Sequence, residues 1–375
     1  MIYPPVKRNI LLNPGPATTT DTVKYAQVVP DICPREKEFE SVMADLGRDL
    51  VRVVHGDLDE YTAVLFCGSG TICIDACINS LIPPEKKILI LNNGAYSQRA
   101  ADVCEYYHLD YVNLTFSILE PINVSRVEEV LQSDSDIAVV YVCHHETGTG
   151  ILNPISEIGE VVHKYGAKII VDTISSYAMI PINLETDNLD FIMGSAQKGL
   201  MSMTGLSFVI GKTALIEESK DYPTRSYYTN LYMQYDFIKR KGEMHFTPPV
   251  QTIYATRQAM KEYWEVGETA KWERHQRVWK AICDGVESLG LELLIPKKYQ
   301  SRLVVAVKYP ENTDWDFDKV HDYCYEHGFT IYPGKVSNTN TFRLCALGTL
   351  TVDDINHFFN LLGKYDYFNN IRSDD

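Results

Sequence analysis

IIVDTISSYAMIPINLETDNLDFIMGSAQK, residues 169–198, holds two short apolar runs that each end in polar residues. Ile169-Ile170-Val171 runs into Asp172, and Phe191-Ile192-Met193-Gly194 runs into Ser195-Ala196-Gln197-Lys198. Neither run alternates polar with apolar. Unbroken runs of this kind suit strands buried on both faces, as in a parallel sheet covered by helices. The pattern recurs at 63–67, 88–91, 111–115, 137–143 and 207–210. Segments with helical spacing separate the runs, at 96–107, 125–131 and 154–165. Strands alternating with helices predict an α/β fold with βαβ units and a mainly parallel seven-stranded sheet. Ligands bind beyond the carboxyl ends of such strands. Asp172 and Lys198 both fall there.

Downstream the pattern changes. Residues 221–246 are rich in Tyr, Arg and Lys with little periodicity, and read as a surface excursion closed by Pro248-Pro249. A helical region follows over 250–289, interrupted near Gly267, with Trp264, Trp272 and Trp279 as packing aromatics. Beyond Gly290, strands are expected at 291–295, 303–307 and 342–344, and helices at 314–326 and 352–362. Gly328 stands where a helix C-cap falls. Thr351 with Asp354 has the spacing of a capping box. The chain thus divides into a large domain, residues 15–262, and a smaller α+β domain built from 1–14 and 263–375.

The 375 residues are 45% apolar and 23% charged, with a formal net charge of −15. This composition supports a sizeable core and excludes a disordered, collagen-like or disulfide-scaffold chain. An acidic chain is unsuited to general nucleic-acid binding, which needs a basic surface. The nine cysteines form no CxxC pair and read as buried thiols of a reducing compartment, not a metal site. Residues 1–12 carry only a three-residue apolar stretch after Lys7-Arg8, too short for a secretory leader. No window approaches a membrane span. The expected location is cytoplasmic.

Three strand ends carry chemistry. Gly68-Ser69-Gly70-Thr71 follows a strand and opens a helix, where backbone N–H groups and two hydroxyls can cradle a phosphate. Cys73 takes the last position of a GxGxxG pattern and no Gly-Lys follows, so a plain tight turn is the competing reading. Asp172 could serve only as an N-cap, and Lys198 could be a solvated loop lysine. Among small residues at a sheet edge, however, burial lowers a lysine's pKa and makes it a nucleophile. Together, phosphate cradle, strand-end carboxylate and strand-end lysine are the three handles of pyridoxal 5′-phosphate: phosphate, ring nitrogen and aldehyde. Tyr96, at another strand's exit, suits stacking on a flat ring.

These residues, with Leu11-Leu12-Asn13-Pro14-Gly15-Pro16, Asn93-Gly94-Ala95-Tyr96 and Arg99, His145-Glu146-Thr147, Ser175-Ser176, Phe246-Thr247 and Tyr332-Pro333-Gly334-Lys335-Val336-Ser337 with Phe342-Arg343, extend over nearly the whole chain. The sequence resembles the class V, fold-type I aminotransferases. Within them it is most similar to the 2-aminoethylphosphonate–pyruvate aminotransferases. The resemblance implies a homodimer with an active site shared between subunits, acting on a small-molecule amino donor and a 2-oxo acid. Lys198 would bond the cofactor and move the proton, and Asp172 would pair with the ring nitrogen. Ser69, Gly70, Thr71 and Gln197 would hold the phosphate, and Thr247 would reach the phosphate of the neighbouring subunit. Tyr96 would stack on the ring. Thr147 would bond on the 3-hydroxyl side, and Ser175 would join the cofactor contacts. Arg343, with the backbone near Gly15, would bind the substrate's acidic group, as suits a planar permanent cation. His144 and His145 are read as structural, and His245 is left open.

Three departures from the subfamily pattern touch the site: Gly148, Gln197 and Cys345-Ala346. Gln197 is shared with the alanine/serine–glyoxylate enzymes, which supply the alternative substrate reading. A cysteine desulfurase, a non-catalytic cofactor-binding protein and a nicotinamide dehydrogenase fit the motifs less well.

Overall fold

The computed structural model describes residues 9–311, 315–334 and 339–368. The expectations for residues 1–8, for Asp314 and for Lys335-Val336-Ser337 lie outside them. The apolar runs become one sheet of seven strands: β1 (Tyr61–Cys67), β2 (Lys87–Asn92), β3 (Tyr111–Thr115), β4 (Ile137–Cys143), β5 (Lys168–Asp172), β6 (Phe191–Ser195) and β7 (Leu206–Lys212). Their order is β1-β7-β6-β5-β4-β2-β3. Strands β3, β2, β4, β5 and β6 pair in parallel, and β7 runs antiparallel to both β1 and β6.

Successive side chains of a strand point to opposite faces. Here both faces are covered. Val140 and Val142 of β4 join Leu89, Leu91, Ile169 and Val171 in one core. Val139 and Tyr141 join Ile88, Ile90, Ile170 and Met193 in the other. Each such side chain stabilises the fold by roughly 1.5–3 kcal/mol when fully buried. A sheet held this way cannot tolerate alternating polarity, hence the unbroken runs.

The covering helices are α1 (Lys37–Arg52), α2 (Thr71–Ser80), α3 (Ala95–Tyr106), α4 (Val124–Ser133), α5 (Ile155–Lys164), α6 (Leu231–Lys241) and α7 (Val250–Val266). Gly267, at φ +81°, joins α7 to α8 (Glu268–Ser288). Strands β8 (Val304–Lys308), β9 (Tyr332–Pro333) and β10 (Thr341–Cys345) form an antiparallel sheet in the order β8-β10-β9. With α8, α9 (Phe317–Glu326) and α10 (Val352–Leu362) it encloses a separate core around Val305, Phe342, Leu344 and Phe358. The box at Thr351 and Asp354 caps α10, and Gly328 follows α9 at φ +92°. Ile10–Leu11 pairs in parallel with Phe329–Thr330, tying the amino-terminal segment to this unit.

Four expectations are corrected. Residues 221–246 contain α6, whose Asn230 side chain accepts from Met233 N at the start. Its aromatic residues spread over several faces, which hid the helical period. Residues 291–295 form no strand: only Leu293 bridges, to Val307, before Pro296 ends the extension. Trp264 is 44% exposed rather than packed in a core. Cys33 is likewise exposed, whereas seven of the free cysteines are buried. Among the described residues no helix is long and apolar enough to cross a membrane.

Candidate active site

The carboxyl ends of β1, β2, β4, β5 and β6 converge with β10 and the amino-terminal segment. Lys198 follows β6 in a turn whose Ala196 N donates to Leu206 O and whose Ser202 N returns to Ala196 O. Its Nζ donates to the Pro14 carbonyl at 2.5 Å and has no carboxylate partner among the described residues. Gly15 lies directly against it. At φ +120°, a Cβ on Gly15 would stand 2.7 Å from Lys198 Cδ and 2.8 Å from Nζ. Only glycine lets the backbone approach this closely in that conformation. Burial pulls the Lys198 ammonium down to about 8, with Arg343 and Arg99 lowering it further against Cys345 and Asp172. The amine is therefore available as a nucleophile near neutrality.

Asp172 ends β5 and is 3% exposed. Oδ1 accepts from Ile174 N at 2.9 Å and Oδ2 from the Tyr141 hydroxyl at 3.1 Å. Burial pushes its carboxyl up, opposed by these bonds and by the charges of Arg99 and Lys198. Each oxygen keeps a lone pair for a further donor, and a cationic N–H suits it best.

Gly70 opens α2, with Ser69 exposed beside it and Thr71 half-buried. A Cβ on Gly70 would meet Ile174 at 2.8 Å, so the helix start is closely backed by the loop that follows Asp172. Arg99 Nη1 donates to Thr71 Oγ1 at 3.0 Å, and its guanidinium lies 5.1 Å from the centre of the Tyr96 ring. Helix start, hydroxyls and guanidinium together make an anion cradle. The Ser195 hydroxyl donates to Gln197 Oε1 at 2.6 Å, which leaves the Gln197 amide N–H groups to donate.

The hairpin His145–Glu146 / Ile151–Leu152 carries the next group. Thr147 Oγ1 donates to Ser175 Oγ at 3.0 Å, and Ser175 Oγ donates to His145 O at 3.1 Å. Glu146 is fully buried and accepts from Tyr96 N, Ser97 N and the Ser97 hydroxyl, fixing the start of α3 and with it the Tyr96 ring. The Arg343 guanidinium, on β10 and 2% exposed, donates to Thr147 O at 3.2 Å and to Pro333 O at 3.1 and 3.3 Å. Its partners among the described residues are carbonyls alone. A buried guanidinium without a carboxylate is prepared for an anionic ligand. The His144 ring is held by Ser176 Oγ at 3.0 Å, and burial drives its pKa to about 3.

The structure thus groups Lys198, Asp172, Gly70, Thr71, Tyr96, Thr147, Ser175, Gln197, Gly15 and Arg343 around one set of strand ends. Thr247 stands exposed after Phe246 and takes no part in these hydrogen bonds. Tyr141, Ile174, Arg99 and the Pro14 carbonyl complete the site without having been singled out for a role. The only signal for Tyr141 was a phenol inside an otherwise apolar run. The donor set suits a ligand with an anionic group, a protonated ring nitrogen and an electrophilic carbon.

The family model for class-V aminotransferases matches residues 22–346. A 2-aminoethylphosphonate–pyruvate transaminase from Phocaeicola vulgatus is 35% identical over 92% of this chain and 95% of its own. One from Bacteroides fragilis is 34% identical over 96% of this chain and 100% of its own. The crystal structure of an alanine–glyoxylate aminotransferase from Nostoc sp. superposes with a TM-score of 0.89 at 24% identity, covering 96% of each chain, which shows the shared fold.

Proposed function

The chain belongs to the class-V aminotransferase family, and from that membership we propose that it transfers the amino group of 2-aminoethylphosphonate to pyruvate, giving phosphonoacetaldehyde and L-alanine, with pyridoxal 5′-phosphate as cofactor. The observation that carries the reading is Arg343: a buried guanidinium whose partners among the described residues are carbonyls alone, and whose charge bears on the Lys198 amine. A substrate with an acid at one end and an amine at the other meets both. The relatives named above act on such a compound by name, and Arg343 would grip the carboxylate of pyruvate equally well.

When bound, the cofactor supplies an electrophilic carbon and an electron sink. Asp172 holds the ring nitrogen's proton in place. Gly70, Thr71, Ser69 and Gln197 hold the phosphate, with Arg99 behind Thr71. Tyr96 would stack on the ring, and Ile174, beside Gly70, would help exclude water from it. Lys198, released from the Pro14 carbonyl, carries the proton to and from the substrate carbon; a pKa of about 8 lets it accept and return that proton near neutral pH. The division into a cofactor domain over 15–262 and a smaller domain of 1–14 with 263–375 goes with this reading. So do a cytoplasmic homodimer and Thr247 at the phosphate of the neighbouring subunit.

The purified protein is expected to be yellow after incubation with pyridoxal phosphate, with the visible band lost in Lys198→Ala. Adding 2-aminoethylphosphonate should bleach the band, and pyruvate should restore it. A response to alanine, serine or glyoxylate with none to the phosphonate would establish the alanine/serine–glyoxylate activity that Gln197 suggests.

A further inference from the structure

Tyr141 of β4 is a fully buried phenol in an otherwise apolar run. In the parallel register it lies opposite Ile170 of β5, and Asp172 follows two residues later on the same face as Ile170. The Tyr141 hydroxyl donates to Asp172 Oδ2 at 3.1 Å, and this is its one hydrogen bond among the described residues. A buried hydroxyl is costly without a partner, and phenylalanine would fill the same core with no hydroxyl to satisfy. Packing therefore does not call for tyrosine here; the carboxylate does.

The direction of the bond is fixed. Burial first, and then the charge of Asp172, push the phenol's pKa well above its ordinary value, so the hydroxyl keeps its hydrogen. A carboxylate only accepts. With Ile174 N on Oδ1 at 2.9 Å and the phenol on Oδ2, the carboxylate is held at both oxygens. Burial pushes the Asp172 carboxyl up, and these two donors and the cations Arg99 and Lys198 oppose it. The thiols of Cys73, Cys77 and Cys143, which also feel this charge, are pushed up by burial and stay uncharged, and burial raises the Glu146 carboxyl.

We propose that Tyr141 is a positioning residue: its hydroxyl fixes the Asp172 carboxylate so that the shared proton stays on the ring nitrogen of the cofactor. This rests on the cofactor reading above and adds what sets the ring's electron demand. A proton between two bases stays with the stronger one. With one donor fewer, Asp172 becomes a stronger base in a site that already disfavours its charge. The proton then moves from nitrogen to carboxyl oxygen, the N–H···O bond becoming N···H–O with no atom gained or lost. A ring without that proton is a poorer electron sink.

The test loads the full chain with pyridoxal phosphate carrying ¹⁵N in the ring. In wild type the ring nitrogen should resonate at the upfield position of a protonated pyridine. In Tyr141→Phe it should move downfield toward the unprotonated position, and kcat should fall by about tenfold, the scale of one charge-assisted hydrogen bond. A wild-type nitrogen at the unprotonated position, or a Tyr141→Phe resonance identical to wild type, overturns the proposal while the cofactor reading stands. A wild type that takes up no pyridoxal phosphate overturns the cofactor reading itself. A second measurement does not depend on cofactor uptake by the variant. In apoprotein labelled with ¹³C at the aspartate side-chain carboxyls, the Asp172 signal, assigned by its absence in Asp172→Asn, should titrate at higher pH in Tyr141→Phe than in wild type. Equal titration in the two proteins overturns the proposal.

Discussion

Half-buried Lys198 and buried Arg343 are two cations in one pocket, and they differ in what loss of water does to them. The amine can lose its proton, and burial takes its pKa to about 8. The guanidinium remains charged and must wait for an anion. In the cofactor-free protein, acetylation of Lys198 by trace acetic anhydride should therefore rise through pH ~8 and level off. Ordinary surface lysines gain up to ~10.4. A Lys198 midpoint near 10, read by peptide mass spectrometry, would refute the lowered pKa. Arg343→Lys should raise KM for 2-aminoethylphosphonate by about tenfold or more, since a point charge replaces a planar fork. Cofactor affinity, measured by equilibrium titration, should change little. Lys198 and Asp172 were legible in the sequence because each ends an apolar run, where an ionisable residue has a reason to be. The Pro14 carbonyl was not, because backbone groups carry no letter of their own. Arg99 was quoted in a motif without a role, since its bond to Thr71 depends on how two helices approach, although its place three residues after Tyr96 on α3 already put it beside that ring.

At the scale of elements, the hairpin that carries Thr147 is held from below. Gly150 sits in its turn at φ +89°, and its carbonyl accepts from Ser301 N at 2.8 Å. A Cβ there would stand 2.4 Å from the Val304 carbonyl of β8. Gly150→Ala meets both backbone strain and overlap with a backbone atom, and should lower stability by about 2 kcal/mol or more. The check is urea unfolding of the apoprotein. Because the same turn carries the carbonyl that Arg343 grips, KM for the acidic substrate should rise in parallel. The strands were read within one or two residues because burial on both faces leaves an unambiguous pattern. Helix α6 was missed because Tyr232, Tyr235, Phe237 and Ile238 do not keep to one stripe. The false strand at 291–295 was apolar for another reason: Leu291 packs on the small core and Leu294 on the cluster with Ile151.

For the whole molecule, the net charge of −15 opposes the anions the site is built to hold. The repulsion acts at long range through solvent, where a Debye length of ~10 Å at 0.1 M salt screens it. The attraction comes from buried groups, which salt screens far less. Moderate sodium chloride should therefore raise kcat/KM for the phosphonate, with kcat unchanged. A steady fall from low salt upward would mean that exposed cations steer the substrate instead. The sheet order has a consequence of a different kind. β1 is the first strand of the large sheet to leave the ribosome, yet its one neighbour is β7, with Cys67 opposite Leu206. Roughly 140 residues must be translated between them, which at 5–20 residues per second takes about 7–30 s. During that interval Ala63-Val64-Leu65-Phe66 is an apolar strand with no place in a sheet. The nascent chain therefore carries its own aggregation hazard until its seventh strand arrives, and chaperone demand during synthesis should end with that strand.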